Sequence, residues 1–195
     1  GLVDLSEGLG QHSMRQLLDD GKVAAAEELA ESGQAHRVTD FRLEQPVPDP
    51  GRVFCIGVNY GNRNAEYKDG SDAPKNPSIF MRGPLSFVAH GRPVVIPTES
   101  EQLDYEGEIV LVIGRPGRRI SQDKAMDHVA GLVLVNDLSE REYQLERGGQ
   151  WDKGKGCDTF GPLGPWLVTR DEVKDPQNLA MWLDINGKRM QDGST

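Results

Sequence analysis

Cysteine, histidine and net basic charge are all scarce in this chain, and each scarcity excludes something. Its 195 residues include 2 cysteines and 4 histidines, and 22 Lys+Arg stand against 31 Asp+Glu, a formal net charge of -9. Cys55 and Cys157 lie far apart, each beside a glycine-rich turn, and make no disulfide framework. That usage points to a reducing, cytoplasmic setting. The acidic surplus argues against nucleic acid or an anionic membrane surface as a partner, because both require basic patches. No signal-peptide pattern is visible and no apolar run is long enough to span a bilayer. No Gly-x-Gly-x-x-Gly follows a strand and no P-loop occurs, which disfavours an NAD-dependent enzyme. A small anionic substrate stays open, since a bound metal inverts the local field.

What is present divides at a proline cluster. Residues 1–48 read as a small N-terminal segment. Within it, Arg15 to Ser32 shows rough helical periodicity broken at Gly21. Gln45-Pro-Val-Pro-Asp-Pro-Gly51 removes backbone donors and biases the chain away from helix, so it marks the boundary. Residues 49–195 turn β-rich. Strands are expected at 53–58, 78–81, 94–96, 108–113 and 130–135, with a short helix from Ser121 to His128. A hairpin is expected around Asn186-Gly187, a pair suited to a type I′ turn. The sequence opens at Gly1 rather than Met and stops at Thr195, where the second hairpin strand is only beginning. A longer natural chain is expected.

The chemistry concentrates in Asp104-Tyr105-Glu106-Gly107-Glu108, which heads the apolar run Ile109 to Ile113. Alternate strand residues share a face, so Glu106 and Glu108 point the same way, roughly 7 Å apart along the backbone. Two carboxylates there either face water at a solvated strand end or hold a hard cation such as Mg²⁺, Mn²⁺ or Ca²⁺. Asp137 follows the strand 130–135 and is either a third ligand or a cap for the next turn. Lys153 and Lys155 sit in a glycine- and proline-punctuated stretch, where a lysine is either a solvated charge or faces a carboxylate or enolate oxygen.

Four motifs occur in order: Cys-Ile-Gly-Val-Asn-Tyr (55–60), Leu-Asp-Tyr-Glu-Gly-Glu (103–108), Asn-Asp-Leu-Ser-Glu-Arg (136–141) and Gly-Lys-Gly-Cys-Asp-Thr-Phe-Gly-Pro-Leu-Gly-Pro (154–165). From about Arg52 onward the chain resembles the fumarylacetoacetate hydrolase family, on the side of its 2-hydroxyhepta-2,4-diene-1,7-dioate isomerases and 2-keto-4-pentenoate hydratases. The resemblance implies an α+β, mainly β fold: a mixed β-sandwich or roll with a deep metal-containing pocket, usually in a homodimer. It implies that Glu106, Glu108 and Asp137 coordinate one divalent cation, typically Mg²⁺. It matches Lys155 to the family's active-site lysine and places Arg141 and Gln144 at substrate-contacting positions. Arg82 stands near where relatives often carry a lysine.

One position departs from the pattern. Relatives that hydrolyse carbon–carbon bonds carry a histidine shortly after Asn-Tyr and a glutamate three residues later. Here the glutamate is kept as Glu66, but the histidine position holds Arg63. An arginine stays protonated and cannot serve as a general base. None of the histidines at 12, 36, 90 and 128 stands where it would replace the missing one; His90 reads as a turn residue. The resemblance therefore implies a metal-dependent enzyme acting on a small 2-oxo or 2-hydroxydienoic acid or diacid through a stabilised enolate. Glu66 would move the proton, Lys155 would add charge and Arg63 would pair with a second substrate carboxylate. Isomerisation, hydration or carbon–carbon hydrolysis fits. The alternatives are an oxaloacetate-type decarboxylase and a degenerate homologue that binds metal and acid without turnover.

Overall fold

Three short helices form the front of the chain: α1 (Ser6–Leu9), α2 (Met14–Asp19) and α3 (Val23–Ser32). The structure is a computed structural model that describes residues 4–32, 41–61 and 75–195. Ser13 is extended and its hydroxyl accepts from the Gln16 amide at 3.1 Å, an N-cap that satisfies an otherwise orphaned donor of α2. Gly21, at φ +65°, separates α2 from α3 where the periodicity breaks. Leu17, Leu18 and Ala26 are the buried residues of the pair.

Beyond the prolines the chain is built from strands. β1 (Phe54–Gly57) pairs antiparallel with β2 (Ser78–Met81). The principal sheet contains β3 (Phe87–Ala89), β5 (Gly107–Ile113), β6 (Val129–Asn136) and β8 (Gly161–Leu163), in the spatial order β3-β8-β6-β5. β9 (Val168–Thr169) adds to β6. A two-stranded ladder joins β4 (Leu103–Asp104) to β7 (Ser139–Glu140), and β10 (Ala180–Ile185) turns back as β11 (Lys188–Ser194). This mixture of small sheets and short helices is the α+β architecture expected from the sequence.

The register of the principal sheet positions the site. Glu108, Val135, Leu163 and Ala89 form one row across β5, β6, β8 and β3. Period-two alternation puts Glu108 on the same face as Val110 and Val112, and that face packs on the core of Phe87, Val133, Val135 and Leu163. Each such side chain removed from water contributes on the order of 1.5–3 kcal/mol, so the acid is carried on a firmly anchored strand. At the far end of the chain, Asn186 (φ +51°) and Gly187 (φ +78°) form the expected tight hairpin turn.

Two local expectations give way. Residues 94–96 form no strand, because Pro93 and Pro97 deny the segment ladder donors; the Val95 amide instead donates to Thr159 Oγ1 at 2.7 Å. The helix after Ser121 is a 3₁₀ helix (Gln122–His128), and the serine side chain makes no capping bond to it. A π-helical turn at Glu142–Glu146 and helix α4 (Trp151–Lys155) follow β7. They pack so closely that a Cβ on Gly154 would lie 2.5 Å from the Glu140 carbonyl and 2.6 Å from Gln144 Cβ. Only glycine allows that approach, and it brings Lys155 inward.

Candidate metal centre

Glu106, Glu108 and Asp137 come together at the ends of β5 and β6. One carboxylate oxygen from each lies within 4.8 Å of the others. The backbone enforces the meeting: Gly107 pairs with Asn136 in the β5–β6 ladder, and the Asp137 amide donates to the Glu106 carbonyl at 2.7 Å. Asn136 adds its own tie, its Oδ1 accepting from the Glu106 amide at 3.0 Å. Asp137 is thus a member of the acidic cluster rather than a cap for the next turn.

Three cations surround the acids. Lys155, 2% exposed, donates from Nζ to Glu106 Oε2 at 2.6 Å and to Asp137 Oδ2 at 2.5 Å. Arg141 donates to Glu106 Oε1 at 2.6 Å, to Asp104 Oδ2 at 2.7 Å and to Gln144 Oε1 at 2.7 Å. Arg82, 3% exposed, donates to Asp137 Oδ1 at 2.6 Å, to the Leu138 carbonyl at 2.8 Å and to the Lys155 carbonyl. Three cations therefore face four carboxylates, those of Asp104, Glu106, Glu108 and Asp137. Among the described residues no cationic side chain bonds Glu108.

The electrostatics follow from that imbalance. Burial pushes the Glu108 carboxyl up, and the charges of Asp137 and Glu106 push it further, to about 8. Burial also raises Glu106, but the Lys155 and Arg141 charges and their hydrogen bonds outweigh it and hold that carboxyl below its usual range. The Cys55 thiol, behind the cluster, is pushed up to about 12, chiefly by burial and then by Asp137, so it stays a neutral thiol. A buried carboxylate with acid neighbours and no bonded cation is what a divalent ion relieves, and an all-oxygen donor set suits a hard ion. Glu106, Glu108 and Asp137 fit that role.

The placement of the other expected residues is uneven. Glu106 and Glu108 line a cavity of about 550 Å³ that runs between the principal sheet and the β10–β11 hairpin. Arg82 does not reach it. Where a substrate contact was expected, its guanidinium is enclosed by Asp137 and two carbonyls, so it holds Asp137 and α4 in place. Gln144, 4% exposed, likewise faces Arg141 rather than the cavity. Arg63 and Glu66 lie outside the described residues. Three residues without an assigned role from sequence also support the site. The Tyr60 hydroxyl accepts from the Ile109 amide at 3.2 Å, Asp104 holds Arg141, and Gln191 Oε1 accepts from the Gly107 amide at 2.8 Å. Asp104 and Tyr60 stand inside recognisable motifs; Gln191 carries no sequence signal.

Residues 52–195 match the family model described as fumarylacetoacetate (FAA) hydrolase C-terminal. The chain belongs to the fumarylacetoacetate hydrolase family. A Burkholderia multivorans protein with a provisional hydrolase name is 50% identical over 154 residues, which are 79% of this chain and 54% of that protein. A Burkholderia cenocepacia protein, also provisionally named a hydrolase, matches to the same extent. The chain thus spans about half the length of the curated relatives it matches. Among solved structures, a Mycobacterium smegmatis protein provisionally described as HpcE superposes with a TM-score of 0.86 at 33% identity, over 100% of this chain and 70% of that one. The 2-hydroxyhepta-2,4-diene-1,7-dioate isomerase of Mycobacterium marinum gives 0.71 at 33% identity, over 84% and 58%. The fumarylacetoacetate hydrolase of Exiguobacterium antarcticum gives 0.79 at 31% identity, over 98% and 67%. The structural neighbours thus include proteins of the isomerase-like branch that the four motifs resemble.

Proposed function

We propose that this member of the fumarylacetoacetate hydrolase family is a divalent-metal-dependent enzyme acting on a small 2-oxo or 2-hydroxydienoic acid through an enolate. The reaction class is isomerisation, hydration or carbon–carbon hydrolysis. The observation that carries the reading is the convergence of Glu106, Glu108 and Asp137 beside Lys155, with no cationic side chain among the described residues bonded to Glu108. A divalent ion held there, Mg²⁺ or else Mn²⁺ or Ca²⁺, supplies Lewis-acid polarisation of a chelated carbonyl and offsets enolate charge.

The chain's own residues do the rest. Lys155, itself buried, places a fixed ammonium beside the acids, where positive charge favours a developing oxyanion. Arg82 and Arg141 hold Asp137 and Glu106 in position, so the donor oxygens are arranged before substrate arrives. Glu66 is assigned the proton transfer. Arg63 cannot take a proton from water, which weights the reading toward isomerisation or hydration, and the dienedioate isomerase among the structural neighbours supports that direction.

Turnover of oxaloacetate, an acylpyruvate and a hydroxymuconate-type diacid, each with Mg²⁺ and with EDTA, tests the reading. Activity is expected with Mg²⁺ on at least one of these acids and none under chelation. No turnover of any of them with the metal supplied would favour a homologue that only binds. Glu66→Gln should lower the rate on the order of 10²-fold or more if that residue moves the proton, and an unchanged rate would remove it from the mechanism.

A further inference from the structure

The ladder between β5 and β6 ends at the acids, and it ends irregularly. Its last pair is Gly107 with Asn136. In an antiparallel ladder, opposite residues alternate between pairs that exchange two backbone bonds and pairs that exchange none. The Gly107 amide is spent on Gln191 Oε1 at 2.8 Å, and the Ile109 amide, two residues on, is spent on the Tyr60 hydroxyl at 3.2 Å. Gly107 and Asn136 are therefore a non-bonded pair. The next pair, Glu106 with Asp137, is due two bonds, each amide to the other's carbonyl. One is made, from the Asp137 amide to the Glu106 carbonyl at 2.7 Å. The other is replaced: the Glu106 amide donates to Asn136 Oδ1 at 3.0 Å.

The Asp137 carbonyl released by this exchange is used at the site. It accepts from Lys155 Nζ at 3.2 Å and from the Ser139 hydroxyl at 3.2 Å. A carbonyl oxygen has two lone pairs, so these two donors fill it and the Glu106 amide needs another acceptor. Lys155 also reaches Asp137 Oδ2 at 2.5 Å and Glu106 Oε2 at 2.6 Å. The ammonium thus meets three acceptors with its three donors, and one of the three is the carbonyl that left the ladder. The chain bends at the same place. The Leu138 amide donates to the Asn136 carbonyl at 2.9 Å, a bond two residues long that turns β6 about Asp137.

Resting on the metal reading above, we infer that Asn136 is a positioning residue for the carboxylate cluster. Its side-chain oxygen stands in for the Asp137 carbonyl in the last rung of the ladder, which frees that carbonyl to orient the Lys155 ammonium. Asn136 acts through the Glu106 amide, holding the backbone of one acid against the turn that carries the other. Asparagine suits the task. Its short side chain reaches nearby backbone donors, and its neutral amide adds no charge to a cluster already rich in carboxylates. Without that acceptor the Glu106 amide either stays unpaired or recaptures the Asp137 carbonyl. The first leaves a donor unsatisfied, and the second takes a bond from Lys155 and straightens the turn. Both displace donor oxygens.

Two variants separate the acceptor from the shape of the side chain. Asn136→Leu keeps the shape and removes the acceptor; Asn136→Asp keeps the acceptor. Mn²⁺ is titrated into the chelator-stripped parent and both variants, with binding read by calorimetry and by the loss of the free-ion paramagnetic resonance signal. Asn136→Leu should bind the ion about tenfold or more weakly than the parent, whereas Asn136→Asp should bind within about threefold of it or more tightly. A leucine variant that binds as the parent does, or an aspartate variant as weak as the leucine one, would overturn the role of Asn136 and leave the metal reading standing. A parent that binds no Mn²⁺ would overturn both. Hydrogen exchange at the Glu106 amide needs no leucine variant: it should be slow in the parent and in Asn136→Asp, and fast exchange in the parent would overturn the bond to Asn136.

Discussion

The two walls of the cavity are built on opposite principles. At one end Glu106, Glu108 and Asp137 sit on strands anchored in the core and are gripped by Lys155, Arg82 and Arg141. At the other, the β10–β11 hairpin presents Trp182 and Met181 on a ribbon whose contacts are mostly with itself, tied to the rest by few bonds such as that from Gly107 to Gln191. The charged wall is over-determined, as chemistry requires, because misplacing a donor oxygen by about 1 Å costs rate. The hairpin wall can change side chains with little effect on folding.

The largest effect that would break this contrast lies at Lys155. Lys155→Met leaves Glu106 and Asp137 buried without their shared ammonium. Removing one partner of a buried ion pair costs about 3–5 kcal/mol. Urea unfolding should show a loss of that order in EDTA and a smaller one with Mg²⁺ present, and catalytic turnover should fall on the order of 10²-fold. A variant as stable as the parent in EDTA would mean that the lysine is not neutralising the cluster.

The pH dependence of stability comes next. Glu108 has a folded value raised to about 8 from an ordinary 4.5, so between those values the folded chain keeps a proton that the unfolded chain has lost. Its contribution is therefore fully present below about pH 4.5, declines as pH rises, and is lost above about pH 8. The melting temperature in EDTA should fall across that window, and Mg²⁺ should flatten the fall by giving the ionised carboxylate a partner. In Glu108→Gln the slope should vanish. An identical slope in that variant would place the titration elsewhere.

Smaller effects belong to the hairpin. Gln191→Ala removes the acceptor for the Gly107 amide and should cost about 1 kcal/mol, read by urea unfolding, together with a rise in KM. Trp182→Ala, at a 61% exposed position, should change stability by less than about 0.5 kcal/mol. If the tryptophan variant proved the more destabilising of the two, the hairpin would be a structural element rather than an adaptable wall.

Much of this was legible in the residues. Alternation along 106–113 placed both glutamates on one face, and the Asn-Gly turn fixed the last hairpin. The apolar run before Asn136-Asp137 marked the central strand. The metal reading needed the four motifs together, since spacing alone favours a solvated strand end. What escaped was non-local. Arg82 lies 55 positions from Asp137 in sequence, and no local pattern shows that its guanidinium will be buried against that carboxylate. The Gln191 bond to Gly107 spans 84 positions. The strand expected at 94–96 does not form because the two prolines that bracket it outweigh its apolar composition. The parallel pairing of β3 with β8, each only three residues long, is set by tertiary packing and leaves no periodic trace.

Metal titration is the most direct test. Calorimetric titration of the chelator-stripped chain with Mn²⁺ should give one ion bound per chain, displaced by Mg²⁺, and the binding should disappear in both Glu108→Gln and Asp137→Asn. Unchanged Mn²⁺ binding in those two variants would contradict the assignment of the carboxylate cluster as the metal centre.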